Sequence, residues 1–285
     1  MTINRLIALA PILLLAPAVA VAQSVVINTA NDGQWGSWNL DVGPYWSYLD
    51  AWDPPSDSYS EQITSYPATY PNGTDFNWSF PSNLNGSTNV YAYPLIVYGP
   101  FPGYASAQSP PKLPTPFQIK SINKNFSVTF NVTLNANPDG EDFLVEFWPS
   151  TSTKPTTTSD LKAEVGFMFH NPDYDWNYLL SLPNPLRYTD SAGNHYYIVT
   201  AKQSPPFTVI TPVTSPSSKT PRDLADGKTH TVPIGEVFSF LVSKGVLNGN
   251  DYIDGASNGF EIGRYSGSAV INRLSYNWPG HASHP

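Results

Sequence analysis

Phe126-Ser127-Val128-Thr129-Phe130-Asn131-Val132-Thr133-Leu134 is the stretch that decides the fold class. Apolar and polar residues alternate along it, the period of a strand with one buried face and not of a helix. Its β-branched and aromatic residues suit a pleated surface. Working outward, related runs occupy residues 90–98, 143–148, 164–169, 196–201, 207–210, 260–262 and 269–278, separated by clusters of Pro, Gly, Asn and Ser. Residues 150–159 and 214–219 read as loops. One segment has helical period, with Ile234, Val237, Phe238 and Leu241 at i, i+3, i+4 and i+7. Thr231 is its expected cap, Pro233 suits the first turn, and Lys244 followed by Gly245 ends it. One short helix among many strands predicts an all-β chain: a two-sheet β-sandwich of jelly-roll type, with a concave face available as a cleft.

The ends of the chain have other tasks. Arg5 precedes an apolar run over 6–21 that is broken by Pro11 and Pro17, and Ala20-Val21-Ala22 is a small-x-small cleavage site. Residues 1–22 therefore read as a signal peptide, and the protein is expected to be secreted to the extracellular space. No later run has the length of a membrane span, so no membrane partner is expected. Residues 23–278 are expected to form a single domain and 279–285 a disordered tail. A monomer is expected.

Composition narrows the chemistry. With 14 Lys+Arg against 22 Asp+Glu, the net charge of −8 supplies no basic patch for phosphates, so no nucleic acid is expected. There is no cysteine, which removes disulfides, thiol catalysis and cysteine-held zinc. His170, His195, His230, His281 and His284 have no metal-ligand spacing, and Asp251 and Asp254 match no calcium loop. No G-x-S-x-G occurs. No metal and no cofactor is expected. Sequons at Asn72, Asn77, Asn85, Asn125 and Asn131 fit a secreted glycoprotein.

Two glutamates remain. Glu164 opens Glu164-Val165-Gly166-Phe167-Met168-Phe169-His170, and Glu261 lies within Asn258-Gly259-Phe260-Glu261-Ile262-Gly263. Two carboxyls facing one cleft suffice to hydrolyse a glycoside, one as acid and one as nucleophile or base. The blander alternatives are an exposed edge-strand charge for Glu261 and a solvated strand end, close after Lys162, for Glu164. Sugar faces are apolar, so flat aromatic rings grip them. Trp35 is the first candidate platform; Trp78, Tyr93 and Trp148 follow, each with core packing as the alternative. Trp38, Trp46, Tyr48 and Trp52, with Asp50 and Asp53 among them, either extend a cleft or cover the sandwich.

Gly259-Phe260-Glu261, followed by residues 267–275 (GSAVINRLS), resembles the acid/base strand and final strand of glycoside hydrolase family 12, the retaining endo-β-1,4-glucanases and xyloglucanases. Residues 164–169 resemble its nucleophile strand, residues 145–148 the strand before it, residues 93–99 its Tyr-Pro segment, and Gln34-Trp35-Gly36 its N-terminal Trp-Gly. The resemblance implies Glu164 as nucleophile, Glu261 as acid/base, Glu146 as the residue that orients the nucleophile, and Trp35 as a sugar platform. It implies a β-glucan polysaccharide as substrate: cellulose, mixed-linkage glucan or xyloglucan. This chain departs from the family in having Glu146 where Asp is usual, Met168 for Trp and Gly166 for Met. It also lacks the Pro-Ile-Gly loop and the common disulfide. A second register makes Glu146 the nucleophile, which leaves Glu164 without a role. A non-hydrolytic glycan-binding sandwich of the same fold is the rival reading. A uronate lyase would need a neutralising cation that the acidic balance does not favour.

Overall fold

The computed structural model describes residues 23–39, 43–55, 59–83, 90–101, 114–153 and 158–279. The expected signal peptide, Asn85 and residues 280–285 of the expected tail lie outside them. In chain order the strands begin with Val25–Asn28 (β1), Ser37–Asn39 (β2), Tyr45–Tyr48 (β3), Ser60–Ser65 (β4), Thr74–Ser79 (β5) and Leu95–Tyr98 (β6). There follow Phe117–Gln118 (β7), Ser127–Ala136 (β8), Phe143–Phe147 (β9), Glu164–His170 (β10), Leu186–Thr189 (β11) and His195–Ala201 (β12). The last are Phe207–Val213 (β13), Asp226–Val232 (β14), Tyr252–Ile253 (β15), Ala256–Gly259 (β16) and Ser266–Asn277 (β17). They form a six-stranded sheet, β1-β4-β5-β17-β8-β14, and a nine-stranded sheet, β11-β12-β13-β10-β9-β16-β6-β3-β2, with β15-β7 as a small third pair. Pairing is antiparallel except between β10 and β13. The chain is a β-sandwich of the jelly-roll kind.

The alternation read from residues 126–134 is what closes the sandwich. Val128, Phe130 and Val132 of β8 are fully buried against the nine-stranded sheet, where Phe143, Val145 and Phe147 of β9 and Val165, Phe167 and Phe169 of β10 face them. Along β9 the intervening residues Leu144 and Glu146 therefore point to the other, outer face, and so does Glu164 at the start of β10.

The expected helix is Ile234–Ser243 (α3). It buries Ile234, Val237, Phe238 and Leu241 in the sandwich core, with the Phe238 ring 5.3 Å from that of Phe147. Its end follows the sequence: Gly245 has φ of 69°, its N–H donates to Val242 O, and the Val246 N–H donates to Leu241 O, a Schellman closure. Its start does not. Thr231 lies in β14 with its hydroxyl against that of Thr129, and Pro233 occupies the cap without a side-chain bond. Phe238→Ala is expected to lower unfolding free energy by about 3–5 kcal/mol, read from urea denaturation; an unchanged midpoint would mean that α3 adds nothing to the core.

Three further differences matter. Residues 90–98 are strand only over Leu95–Tyr98, because Pro94 cannot donate to a ladder and its carbonyl accepts from the Phe260 N–H instead. Residues 260–262 are not a strand; β16 stops at Gly259, and Ile262 makes isolated bridges to Ala92 and Glu141. The helices also include Thr29–Asp32 (α1), a single turn, and Asp173–Ser181 (α2), where the sequence suggested only a replaced loop. Acidic Asp173 and Asp175 in the first turn of α2, and Trp176, Leu179 and Leu180 at i, i+3 and i+4, are its physical reasons.

Candidate active site

The outer face of the nine-stranded sheet carries two apolar clusters with acidic groups between them. On one side Trp46 and Tyr48 of β3, Leu95 and Val97 of β6, Phe101 and Trp148 pack together. On the other, Met168, Tyr197, Val199, Val209 and Val213 are covered by Trp176 and Leu179 of α2, with Trp176 edge-on to Tyr197 at 5.4 Å. Helix α2 thus lies over β10, β12 and β13.

The strands in the middle, β10, β9 and β16, position the acids. Glu146 pairs across from Gly166 on β10 and from Ser257 on β16, so it is flanked on both sides, and Ser257 donates to its Oε2 at 3.1 Å. A hydrogen bond joins the Glu146 and Glu164 carboxyls. Burial first, then the charges of Glu164 and Glu261, push Glu146 well above the ordinary carboxyl range. Burial also raises Glu164, while the hydrogen bond from Glu146 pulls it back down. The two carboxyls titrate as a pair, and their contact favours one shared proton over two charges.

Glu261 follows β16. Its N–H donates to Asp142 Oδ1 at 3.2 Å, and the Asp142 N–H donates to Glu261 O at 3.0 Å. Burial, and then the negative charge of Asp175, push Glu261 up to about 8; a hydrogen bond from Asp142 lowers it and the charge of Glu164 raises it. Asp142, Asp175 and Glu261 bring oxygens within 4.8 Å of one another. Such spacing needs a shared proton or a cation, and a proton on Asp142, whose carboxyl contacts both neighbours, supplies the first. The Tyr93 phenol feels the charges of both acidic groups. Burial, then Glu261, Glu146, Glu164 and Asp142 in turn, raise it well above its usual value.

The aromatic candidates divide. Trp35 is 44% exposed and stacks on Tyr48 at 6.4 Å and 20°. From there rings continue through Phe101, 5.9 Å from Tyr48, to Trp148, edge-on to Phe101 at 4.8 Å. Because Val165 pairs with Phe147, Trp148 comes beside Glu164. Tyr93 packs against the same cluster. Trp46 and Tyr48 of the undecided aromatic group belong to this face; Trp38 packs edge-on to Tyr70 against the core, and Trp52 is exposed.

Trp78 corrects an expectation. It is 4% exposed, lies on β5 of the opposite sheet and packs against Phe260 between the sheets, where no substrate reaches. Its position in the alternation of β5, buried with Thr74 and Phe76, decides this. Two glycines near the site are required by packing. A Cβ on Gly166 would meet the Phe207 ring at 2.9 Å, and one on Gly259 would meet Pro94 O at 2.1 Å. Asp142, Asp175 and Phe101 were not anticipated as site residues. Asp142 stands four residues before Glu146, on the same face by strand period, and that signal was in the sequence.

Neither a protein-family model nor a curated relative matches the sequence. Solved structures do match in fold. The native family 12 xyloglucanase from Bacillus licheniformis superimposes with a TM-score of 0.64 at 15% identity, covering 90% of this chain and 100% of that one. Endoglucanase 3 of Trichoderma harzianum gives 0.63 at 15%, covering 91% and 100%. The catalytic domain of Humicola grisea Cel12A, in complex with a soaked thio cellotetraose, gives 0.62 at 12%, covering 90% and 98%. A face built from two apolar flanks around paired carboxyls thus sits on a known scaffold, and the chain has the fold of the family 12 glycoside hydrolases.

Proposed function

We propose that the protein is a secreted glycoside hydrolase that cleaves internal β-1,4-glucosidic bonds of glucans with retention of configuration. The observation that carries this reading is the placement of two acidic groups, Glu164 with Glu146 and Glu261 with Asp142, on one face of the nine-stranded sheet between two apolar flanks. Burial raises Glu261 to about 8, which suits an acid, while the contact with Glu146 pulls Glu164 down against its burial, which suits a nucleophile. Glu261 donates its proton to the leaving glycosidic oxygen while Glu164 attacks the anomeric carbon, forming a glycosyl-enzyme ester and releasing the alcohol end. Glu261, now a carboxylate, takes a proton from water, which attacks the same carbon and frees Glu164. Two inversions restore the β configuration. Glu146 is less suited to the nucleophile's place, because it sits in mid-sheet between Gly166 and Ser257 and accepts from the Ser257 hydroxyl, whereas Glu164 stands at the open end of β10.

Trp35, 44% exposed, is the sugar platform, and the buried rings of Tyr48, Phe101 and Trp148 support it from behind. Xyloglucan, mixed-linkage glucan and cellulose all present the apolar sugar face that Trp35 would cover. Secretion rests on the leader read at residues 1–22, and no described helix is long and apolar enough to cross a membrane.

The test is hydrolysis of xyloglucan, barley β-glucan and carboxymethylcellulose, with the new anomeric protons followed by NMR. Release of reducing ends as the β anomer, before mutarotation, is the expected result. First-formed α anomer would exclude the double displacement. Binding without hydrolysis would leave the glycan-binding sandwich as the better account.

A further inference from the structure

Helix α2 brings a third acid to Glu261. Asp175 is the third residue of that helix, in the first turn, where backbone N–H groups favour a carboxylate. Asp142 lies between the two. It is fully buried, clamped to Glu261 through its own N–H and Oδ1, and its Oδ2 meets no N–H or hydroxyl donor. A proton on Asp142, donated to one of its carboxyl neighbours, satisfies that oxygen.

We propose that, in the glycosidase read above, Asp175 is a positioning residue that sets the protonation state of Glu261, brought to it by the packing of helix α2 on this face. The groups facing Glu261 are Asp142 and Glu146 from β9 and its approach, Glu164 from β10, Asp175 and Tyr174 from α2, and Tyr93 from the segment before β6. They are acids and phenols. Arg264, which lies 5.5 Å from the Tyr174 ring, is tied to Asp139 by a charged hydrogen bond. The local field therefore opposes a second negative charge. As pH rises through about 6, Asp175 gains its charge, and that charge keeps the proton on Glu261 toward about 8. Removing it lets Glu261 release its proton at lower pH, which moves the basic limb of the pH–rate profile to the acid side.

The experiment compares wild type, Asp175→Asn and Asp175→Glu. Rates on the glucan that wild type cleaves are recorded against pH. In parallel, the Glu261 carboxyl is titrated by carbon NMR in protein labelled at glutamate Cδ, with Glu261→Gln assigning the signal. The expected result is a downward shift of about one pH unit in both the basic limb and the NMR midpoint for Asp175→Asn. KM should hold, and Asp175→Glu should restore the limb. If Asp175→Asn does not fold, Asp175→Ser carries the same reading. An NMR midpoint that stays in place overturns the proposal, as does a midpoint that moves with added calcium or chelator. A wild type inert on every glucan, with the midpoint still shifting in Asp175→Asn, supports the coupling and sinks the glycosidase reading alone.

Discussion

Glu164→Ala and Glu261→Ala are each expected to lower kcat/KM on a glucan by about 10³–10⁵-fold, or ~4–7 kcal/mol of barrier. The two losses should differ in kind. Without Glu164 nothing forms the ester, and azide admitted to the vacated space attacks in its place, giving an α-glycosyl azide. Without Glu261 the ester still forms when the leaving group needs no proton, so an aryl glucoside with an acidic phenol should recover much of the first step. Azide then opens the ester from the opposite side and gives a β-glycosyl azide. Glu146→Gln, which can still donate a hydrogen bond to Glu164, should lose far less than Glu164→Ala. The reverse ranking of Glu146 and Glu164 would establish the second register.

The protein is expected to be most stable in acid and to lose several kcal/mol of stability on going from about pH 5 to about pH 8. Burial lifts Asp50, Glu141 and Asp254 to about 7 and raises Glu61 as well. Both Glu61 carboxyl oxygens, both of Glu141 and one each of Asp50 and Asp254 are buried without a hydrogen-bond partner. The ion pairs found among the described residues involve Asp139, Asp223 and Asp226 instead. In the unfolded chain these buried acids ionise near pH 4. Between there and about 7 the folded state holds protons that the unfolded state has released, so stability falls as pH rises through that window and levels off above it. Asp223 and Asp226 act in the opposite sense. Despite desolvation, His170 holds the first below its ordinary value, and Lys228 and His230 hold the second, so their contribution is lost in stronger acid. A stability maximum near pH 4–5 follows from the two together. Calorimetry should find the melting temperature lower at pH 8 than at pH 5 by on the order of 10 °C, with Asp50→Asn and Glu61→Gln reducing the difference. A melting temperature that rises over this range would rule the account out.

Both results bear on what the chain encodes locally. The period of two over residues 126–134 marked Val128, Phe130 and Val132 as core, and they are. Gly245 after Lys244 marked the end of α3, because an αL position after a helix favours glycine whatever surrounds it. Strands such as β4 and β14 were not legible. β14 is an edge strand with mostly exposed residues, and β4 alternates Glu61 with Ile63 on its buried face, so hydrophobic period could not find either. Helix α2 was hidden by its shortness and by Pro172 at its entry.

The site divides in the same way. The sequence by itself determined the sandwich, through strand period, and the absence of thiol chemistry, through composition; Glu164, Glu261 and Glu146 were singled out by the resemblance of their strands to a known family. Only the tertiary structure decided that Trp78 belongs to the core and Trp35 to the outer face. It alone joined Asp142 to Glu261, and it brought Asp175 in from α2. These are outcomes of sheet order and of which face a residue meets. A carboxyl's protonation depends on solvent access and on charges brought from elements 80 or more residues away, as Glu261 is from Glu164 and Asp175. No local stretch of chain contains that information.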